Sequence, residues 1–192
     1  MEKTVFLIVL ALSGSFAAMK FTINDCNTNQ ALLHVDTYNV SPYPPNVPGD
    51  VTPSGHLVLG HDISGNLELA VHIHKKALLW LPIPCVSNFG SCTYNFCDLL
   101  NSVFVHDGTT TCPPQFAKQN LPCTCPFRAG SYTLKPDLWT IPELPAVLSW
   151  LSAGDYKIDA TLTNKDTGEQ VGCGHVEITL AHKCSGFGCI FG

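Results

Sequence analysis

Ten cysteines and eight histidines are the residues of this 192-residue chain best suited to chemistry. Six cysteines crowd into one stretch, at Cys85, Cys92, Cys97, Cys112, Cys123 and Cys125. Cys26 and Cys173 stand far outside it, and Cys184 and Cys189 lie close to the C-terminus. Cys123-Thr124-Cys125 could be mistaken for a zinc-binding word, but an even number of cysteines behind an export-type start reads as a disulfide framework. His72-Ile73-His74 would place two imidazoles on one face of a strand. With no third ligand evident they are read as solvent-facing histidines, and no metal site or cofactor is expected. There is no Gly-x-Ser-x-Gly elbow and no Walker-type phosphate loop. The Asp and His residues are scattered, and no carboxylate pair at glycosidase separation can be picked out.

The framework needs an oxidising compartment, and the chain start supplies a route to one. Lys3, the apolar run Val5 to Leu12, and Ser15-Phe16-Ala17 have the layout of a signal peptide over residues 1–17. That run is shorter than the ~20 residues a bilayer span requires. Only 13% of residues are charged while 45% are hydrophobic, against a usual charged fraction of ~25%. Part of the apolar excess is therefore expected to line something other than a packed core. A net charge of −5 without a basic stripe argues against a nucleic-acid partner. Full protonation of the eight histidines would carry that charge to +3, so attraction to anionic membranes should rise in mild acid.

The elements that would position these residues are mostly strands. Leu67, Leu69, Val71 and Ile73 alternate with polar or small residues, as do Tyr156, Ile158, Ala160 and Leu162. Val176, Ile178 and Leu180 are out of phase with Val171 and Cys173, which places a bulge at Gly172 or Gly174. Weaker strands are expected at Leu33 to Val40, His56 to Leu59 and Leu78 to Ile83. Asp62 to Asn66 and Asn164 to Gly168 read as hairpin turns. One short helix is expected from about Phe96 to Val105. The prolines at 42, 44, 45 and 48 should cross one end of a sheet. The expected fold is all-β, a single domain closed as a sandwich or cup.

Leu138, Trp139, Ile141, Leu144, Val147, Leu148, Trp150 and Leu151 make a strongly apolar loop, broken by Pro142 and Pro145. It either folds onto the core or forms a lipid-facing rim, where tryptophan suits the membrane–water boundary. Trp80 carries the same two readings.

The words around the cysteines carry a resemblance. Val47-Pro48-Gly49, Trp80 ahead of Ile83-Pro84-Cys85, Gly90-Ser91-Cys92-Thr93 and Phe96-Cys97-Asp98-Leu99-Leu100 come in order. Cys123-Thr124-Cys125-Pro126-Phe127, Gly130-Ser131-Tyr132-Thr133-Leu134, Ser149-Trp150-Leu151, Gly154-Asp155-Tyr156-Lys157-Ile158 and Gly172-Cys173 follow. In these words the chain closely resembles the ganglioside GM2 activator proteins, relatives of other lipid-recognition β-cups. The resemblance implies two antiparallel sheets enclosing an apolar lipid cavity. It also implies the pairings Cys26–Cys173, Cys85–Cys92, Cys97–Cys125 and Cys112–Cys123. The corresponding domain would span residues 18–182. Residues 183–192 form a tail outside the family pattern, in which Cys184–Cys189 is expected to pair. The family's sequon after Pro-Gly reads Asp50-Val51-Thr52 here and is lost. Asn39-Val40-Ser41 is a different sequon, and Pro42 directly behind it disfavours glycosylation of Asn39.

The function implied is non-enzymatic: lifting a glycosphingolipid or other membrane lipid and presenting it to a soluble glycosidase of the β-N-acetylhexosaminidase type. Two acyl chains expose about 30 methylenes, worth about 24 kcal/mol in water, and only an enclosed apolar cavity could offset that. Trp80, Leu138, Trp139, Ile141, Leu144, Val147, Leu148, Trp150 and Leu151 are the candidate lipid-contact and membrane-rim residues. The expected setting is the secretory pathway, lysosomal or extracellular. The competing reading is a secreted carrier or receptor ligand for sterol, phospholipid or pheromone-like lipids; a lipase is a third.

Overall fold

The computed structural model describes residues 22–25 and 32–182. In chain order these form β1 (Thr22–Asp25), β2 (Leu33–Ser41), β3 (Gly49–Leu59), β4 (Leu67–Lys76), β5 (Trp80–Pro82) and β6 (Thr93–Asn95). Then come α1 (Phe96–Phe104), β7 (Val105–His106), β8 (Thr109–Thr110), α2 (Pro114–Ala117), β9 (Gly130–Leu134) and β10 (Trp139–Ile141). A 3-10 helix (Ala146–Leu151), β11 (Gly154–Asn164) and β12 (Glu169–Leu180) complete the order. The large sheet runs β1-β12-β11-β4-β5, with β6 also on β4; the small sheet runs β10-β3-β2, with β9 also on β3. The named strand pairings are antiparallel. The fold is thus an all-β sandwich.

Alternation decides which face of each strand turns inwards. Leu69 pairs with Leu162, Val71 with Ala160 and Ile73 with Ile158, so the apolar sets of β4 and β11 share the inner face. The bulge in β12 is one residue from the expected position: Leu162 pairs with Gly172 but Thr163 with Gln170, leaving Val171 as the extra residue. The insertion lets Val171 bury to 2% exposure. Gly172 remains side-chain-free where a Cβ would meet Leu33 of the small sheet at 3.1 Å.

Asp62 to Asn66 is not a hairpin. It connects β3 of the small sheet to β4 of the large one, because the partners of these strands lie far along the chain. The hairpin at 164–168 joins β11 to β12, with Gly168 at φ +75°. The prolyl stretch crosses one end of the sandwich. Val47 N–H donates to the Ala181 carbonyl (2.8 Å) and Ala181 N–H donates to the Pro45 carbonyl (2.9 Å), tying this stretch to the end of β12. Asn95 caps α1 by accepting from the Asp98 N–H at 3.0 Å.

Two buried clusters fill opposite parts of the interior. One holds Leu59, Ile63, Leu67, Leu162 and Val171. The other holds Ile83, Leu151 and Tyr156, with Ile73, Leu148 and Ile178 packed against it. Cys85–Cys92, Cys97–Cys125 and Cys112–Cys123 are disulfides, with Cα separations of 5.0, 5.7 and 5.7 Å. Cys173 is also disulfide-bonded. Cys26, Cys184, Cys189 and the 1–17 segment lie outside the described residues.

The outer face of the large sheet is polar. His72 pairs with Asp159 and His74 with Lys157, which puts both histidines on that outer face. His175 Nδ1 lies 2.6 Å from Asp159 and Nε2 3.4 Å from Glu177, itself 2.9 Å from Lys157. The Asp159 hydrogen bond raises the His175 pKa above 6.5 against its partial desolvation, and Glu177 adds to the rise. A raised histidine contributes stability that is complete below its unfolded value and lost as pH rises through the folded one. His175→Gln should therefore lower Tm more at about pH 5 than at about pH 8.5. A deficit that stays constant across that range in thermal scans would remove the charged imidazole from the account.

Candidate functional site: an apolar cavity between the sheets

A cavity of about 440 Å³ lies against the inner face of the small sheet. Its floor follows the strand register. Leu59 pairs with Leu33, Leu57 with both Val35 and Tyr132, and Gly55 with both Tyr38 and Leu134. All of these residues line the cavity. At the middle of the floor, Gly55 leaves open a place where a Cβ would stand 3.0 Å from the Thr37 carbonyl. The opposite wall is built from Phe96 of α1, Phe116 of α2, Leu121, Pro122, Phe127 and Leu162. Phe96 and Phe127 stack at 6.1 Å between centroids. Phe116 meets Trp139 edge-on at 5.5 Å.

The helical wall is held by sulfur. Cys97–Cys125 ties α1 to the segment before Phe127, and Cys112–Cys123 is nested inside it. Closing the 28-residue loop is worth about 3–4 kcal/mol in the chain-entropy model. A carboxylate latch fixes the wall's edge. Asp62 accepts from the Ala129 N–H at 2.8 Å and from Arg128 at 2.7 Å. Beside it Ile63 and Phe127 exchange backbone hydrogen bonds of 2.8 and 3.0 Å, and the Tyr132 hydroxyl donates to the Arg128 carbonyl at 2.5 Å. The Ala129 N–H, followed by Arg128, holds the Asp62 pKa below 3.8.

None of the nine residues expected at the rim lines this cavity. The apolar loop contributes β10 and the 3-10 helix, on either side of the prolines that were expected to break it. A 3-10 helix has three residues per turn, so positions three apart share a stripe. Leu148 and Leu151 form the inward stripe and pack in the second cluster with Leu144. Val147 and Trp150 form the outward stripe, 77% and 54% exposed. Leu151 as a membrane-facing residue is therefore corrected: it is 5% exposed and anchors the helix. Leu138 is exposed, while Trp139 and Ile141 are half-buried in β10. Trp80 is half-buried under the Lys157 ammonium, 4.7 Å from its ring centroid.

The sequence reading missed the exposed tip between β4 and β5. Leu78, Leu79 and Leu81 are open to solvent there, Leu78 completely. Lys75 donates to the Trp150 carbonyl and lies 5.4 Å from that ring's centroid, so the tip and the outward stripe share one end of the molecule. Partial burial lowers the Lys75 pKa. Tyr156 beside this end and Leu162 at the cavity are six residues apart on β11, roughly 20 Å along a strand. Also missed was a hydrogen-bonded row of Asp36, His56 and Ser131, from three different strands. Asn39, the sequon residue, is exposed on β2. Among the described residues no group of three His, Cys, Asp or Glu could hold a metal ion, and no helix is long and apolar enough to cross a membrane.

Residues 20–180 match the ML domain family model. The chain belongs to the ML domain family. A ganglioside GM2 activator from Mus musculus is 31% identical, covering 92% of this chain and 95% of its own. A ganglioside GM2 activator from Macaca fascicularis is 34% identical, covering 90% and 94%. The ML domain seen here therefore falls with the GM2 activators that its cysteine words resemble. A Niemann-Pick type C2 protein from the Japanese carpenter ant aligns over 85% of this chain and 100% of its own, at 11% identity and TM-score 0.41.

Three substitutions test the latch and the two stripes. Asp62→Asn should lower Tm near neutrality. Because a depressed carboxylate contributes fully above its unfolded pKa and loses that contribution as pH falls through its folded value, the gap to wild type should close as the pH is taken down below 3.8. Leu151→Ala should cost about 2–5 kcal/mol in urea unfolding, whereas Val147→Ala should cost about 0.5 kcal/mol or less. Equal losses would mean that the two stripes are not distinguished by burial.

Proposed function

We propose that this ML domain protein binds a membrane lipid by its hydrocarbon tails and carries it out of the bilayer, leaving the headgroup accessible to a water-soluble glycosidase. The carrying observation is the apolar cavity, whose 440 Å³ lies within the ~300–1,000 Å³ usual for ligand sites. Burial of tails there offsets about 0.8 kcal/mol of hydration cost per methylene. The relatives' name supports a ganglioside or kindred glycosphingolipid as cargo. A β-N-acetylhexosaminidase is the proposed partner, and lifting the lipid requires no bond-breaking by the carrier itself. The disulfides and signal-like start support a secretory setting, lysosomal or extracellular, in which residues 1–17 are removed and residues 18–182 form the working domain.

Docking is assigned to the end carrying Leu78, Leu79, Leu81, Val147 and Trp150. Exposed apolar side chains beside Lys75 and Lys76 suit an anionic lipid surface, where each nearby lysine is worth about 1 kcal/mol. The second buried cluster lies between that end and the cavity, so entry of tails from the tip requires residues 144–151 to yield. The cavity's modest size supports a second reading, a carrier of one small hydrophobe such as a sterol. Native mass spectrometry of the purified protein separates the two by the mass of the co-purified lipid.

Transfer of a fluorescent glycosphingolipid between vesicles tests the cavity and the tip separately. Leu57→Trp should fill the floor and abolish lipid binding without preventing vesicle association. Leu78→Ser combined with Val147→Ser should keep binding of micellar lipid but slow extraction from anionic vesicles by about tenfold, a difference of about 1.4 kcal/mol. Normal transfer by Leu57→Trp would show that tails are held elsewhere.

A further inference from the structure

On the small sheet three side chains make a connected row; the register sets His56 and Ser131 out of phase with the Leu57 and Tyr132 floor, while His56 and its strand partner Thr37 also line the cavity. His56 Nδ1 lies 2.6 Å from Asp36 Oδ2, and His56 Nε2 lies 2.5 Å from Ser131 Oγ. A carboxylate can only accept, so Nδ1 carries the proton and donates to Asp36. Nε2 of the neutral ring is then left to accept from the Ser131 hydroxyl. Asp36 is held from its other side by His34, whose Nε2 is 3.2 Å from Oδ1. A hydroxyl, an imidazole and an orienting carboxylate in this order are the geometric signature of an activated nucleophile.

The backbone supports the placement independently. The register of β2 against β3 shifts between Val35 and Thr37, so Asp36 is the extra residue of a bulge. Bulges re-aim side chains, and this one puts Asp36 and Thr37 together on the exposed side opposite His56. A groove of about 280 Å³ reaches the row at His56, which lines it together with Thr37, Ser54, Thr133 and Lys135 among others. Hydroxyl and ammonium donors of these kinds stabilise a developing oxyanion.

We propose that Ser131, His56 and Asp36 form an esterase centre on the small sheet, acting on small, solvent-accessible carboxylic esters. Ser131 Oγ attacks the ester carbonyl while its proton passes to His56 Nε2. The tetrahedral intermediate expels the alkoxide, which takes that proton and leaves as the alcohol. Water, deprotonated by His56, then attacks the acyl-serine, the Ser131 ester bond breaks, and the carboxylic acid departs with the serine restored. His56 also lines the cavity between the sheets whereas Ser131 and Asp36 do not, so this centre is tested by covalent labelling of Ser131 and the cavity by lipid transfer, and the two readings can fail separately.

The purified full chain is treated with a fluorophosphonate probe and with 4-nitrophenyl acetate. The expected result is one phosphonyl adduct, on the peptide containing Ser131, and a burst of nitrophenolate from wild type. Ser131→Ala should abolish both, and His56→Gln should slow labelling by about 10²–10⁴-fold. Thermal scans confirm that each variant is folded, and Asp36→Asn provides a second route should His56→Gln fail to fold, since a mis-oriented imidazole must also slow labelling. No adduct on folded wild type, or the same labelling rate in His56→Gln or Asp36→Asn, would overturn the proposal and leave the row as a cross-strand tie.

Discussion

An interior that is not filled forfeits the dispersion contacts that a packed core supplies, so the separation of the two sheets must be maintained by other means. Here it is maintained at the crossings. The prolyl stretch is hydrogen-bonded to Ala181 at one end, and the Ile63–Phe127 exchange with the Asp62 latch holds the connection from β3 to β4. The helical wall is the weakest part on its own terms. Helix α1 has nine residues and none of them is buried, and α2 has four. Helices of that length are marginal without tertiary support. The nested Cys97–Cys125 and Cys112–Cys123 bridges supply the constraint, and they do so without occupying the space that Phe96, Phe116 and Phe127 enclose.

The low charge content of the chain has a definite arrangement. Charged and imidazole side chains lie in rows on the outer faces, as in His175–Asp159 and Glu177–Lys157 across β11 and β12. The inner faces carry almost none. Solubility is thereby assigned to the backs of the sheets, which leaves one end free to expose Leu78, Leu79, Val147 and Trp150. Scattered exposed apolar residues need no explanation, but a tip and a neighbouring helical stripe joined through Lys75 form a contiguous surface of the kind that marks an interaction site.

Strand interiors were legible in the sequence because their signal is local. The alternation from Leu67 to Ile73 and from Tyr156 to Leu162 needs only a period of two. The antiparallel β4–β11 pair follows the same face assignment. What was not legible depended on pairing across distance. Asp62 to Asn66 has the composition of any tight turn, and nothing local distinguishes a hairpin from a crossing between sheets. The apolar loop carried the right residue types but could not reveal a period of three within six residues, which is what separates Leu151 from Trp150. The cavity wall was missed for a related reason. Phe96, Phe116 and Phe127 lie in irregular, cysteine-rich chain where no periodicity assigns a face, and only the bridges bring them together.

The two bulges show how small insertions in regular strands set both surfaces at once. In β2 the half-buried positions are Leu33, Val35, Tyr38 and Val40, and the exposed ones are His34, Asp36, Thr37 and Asn39. Without the extra residue, Tyr38 would turn away from the cavity. With it, Tyr38 joins the floor. In β12 the extra residue buries Val171 and sets side-chain-free Gly172 against Leu33 of β2, which lets the sheets approach where the first cluster packs. One insertion therefore lets the sheets approach beside Leu33, and the other keeps Tyr38 on the cavity floor. Reverting either phase by deleting a single residue would flip every side chain beyond it to the opposite face. The place of Tyr38 in the apolar lining thus depends on a single backbone irregularity.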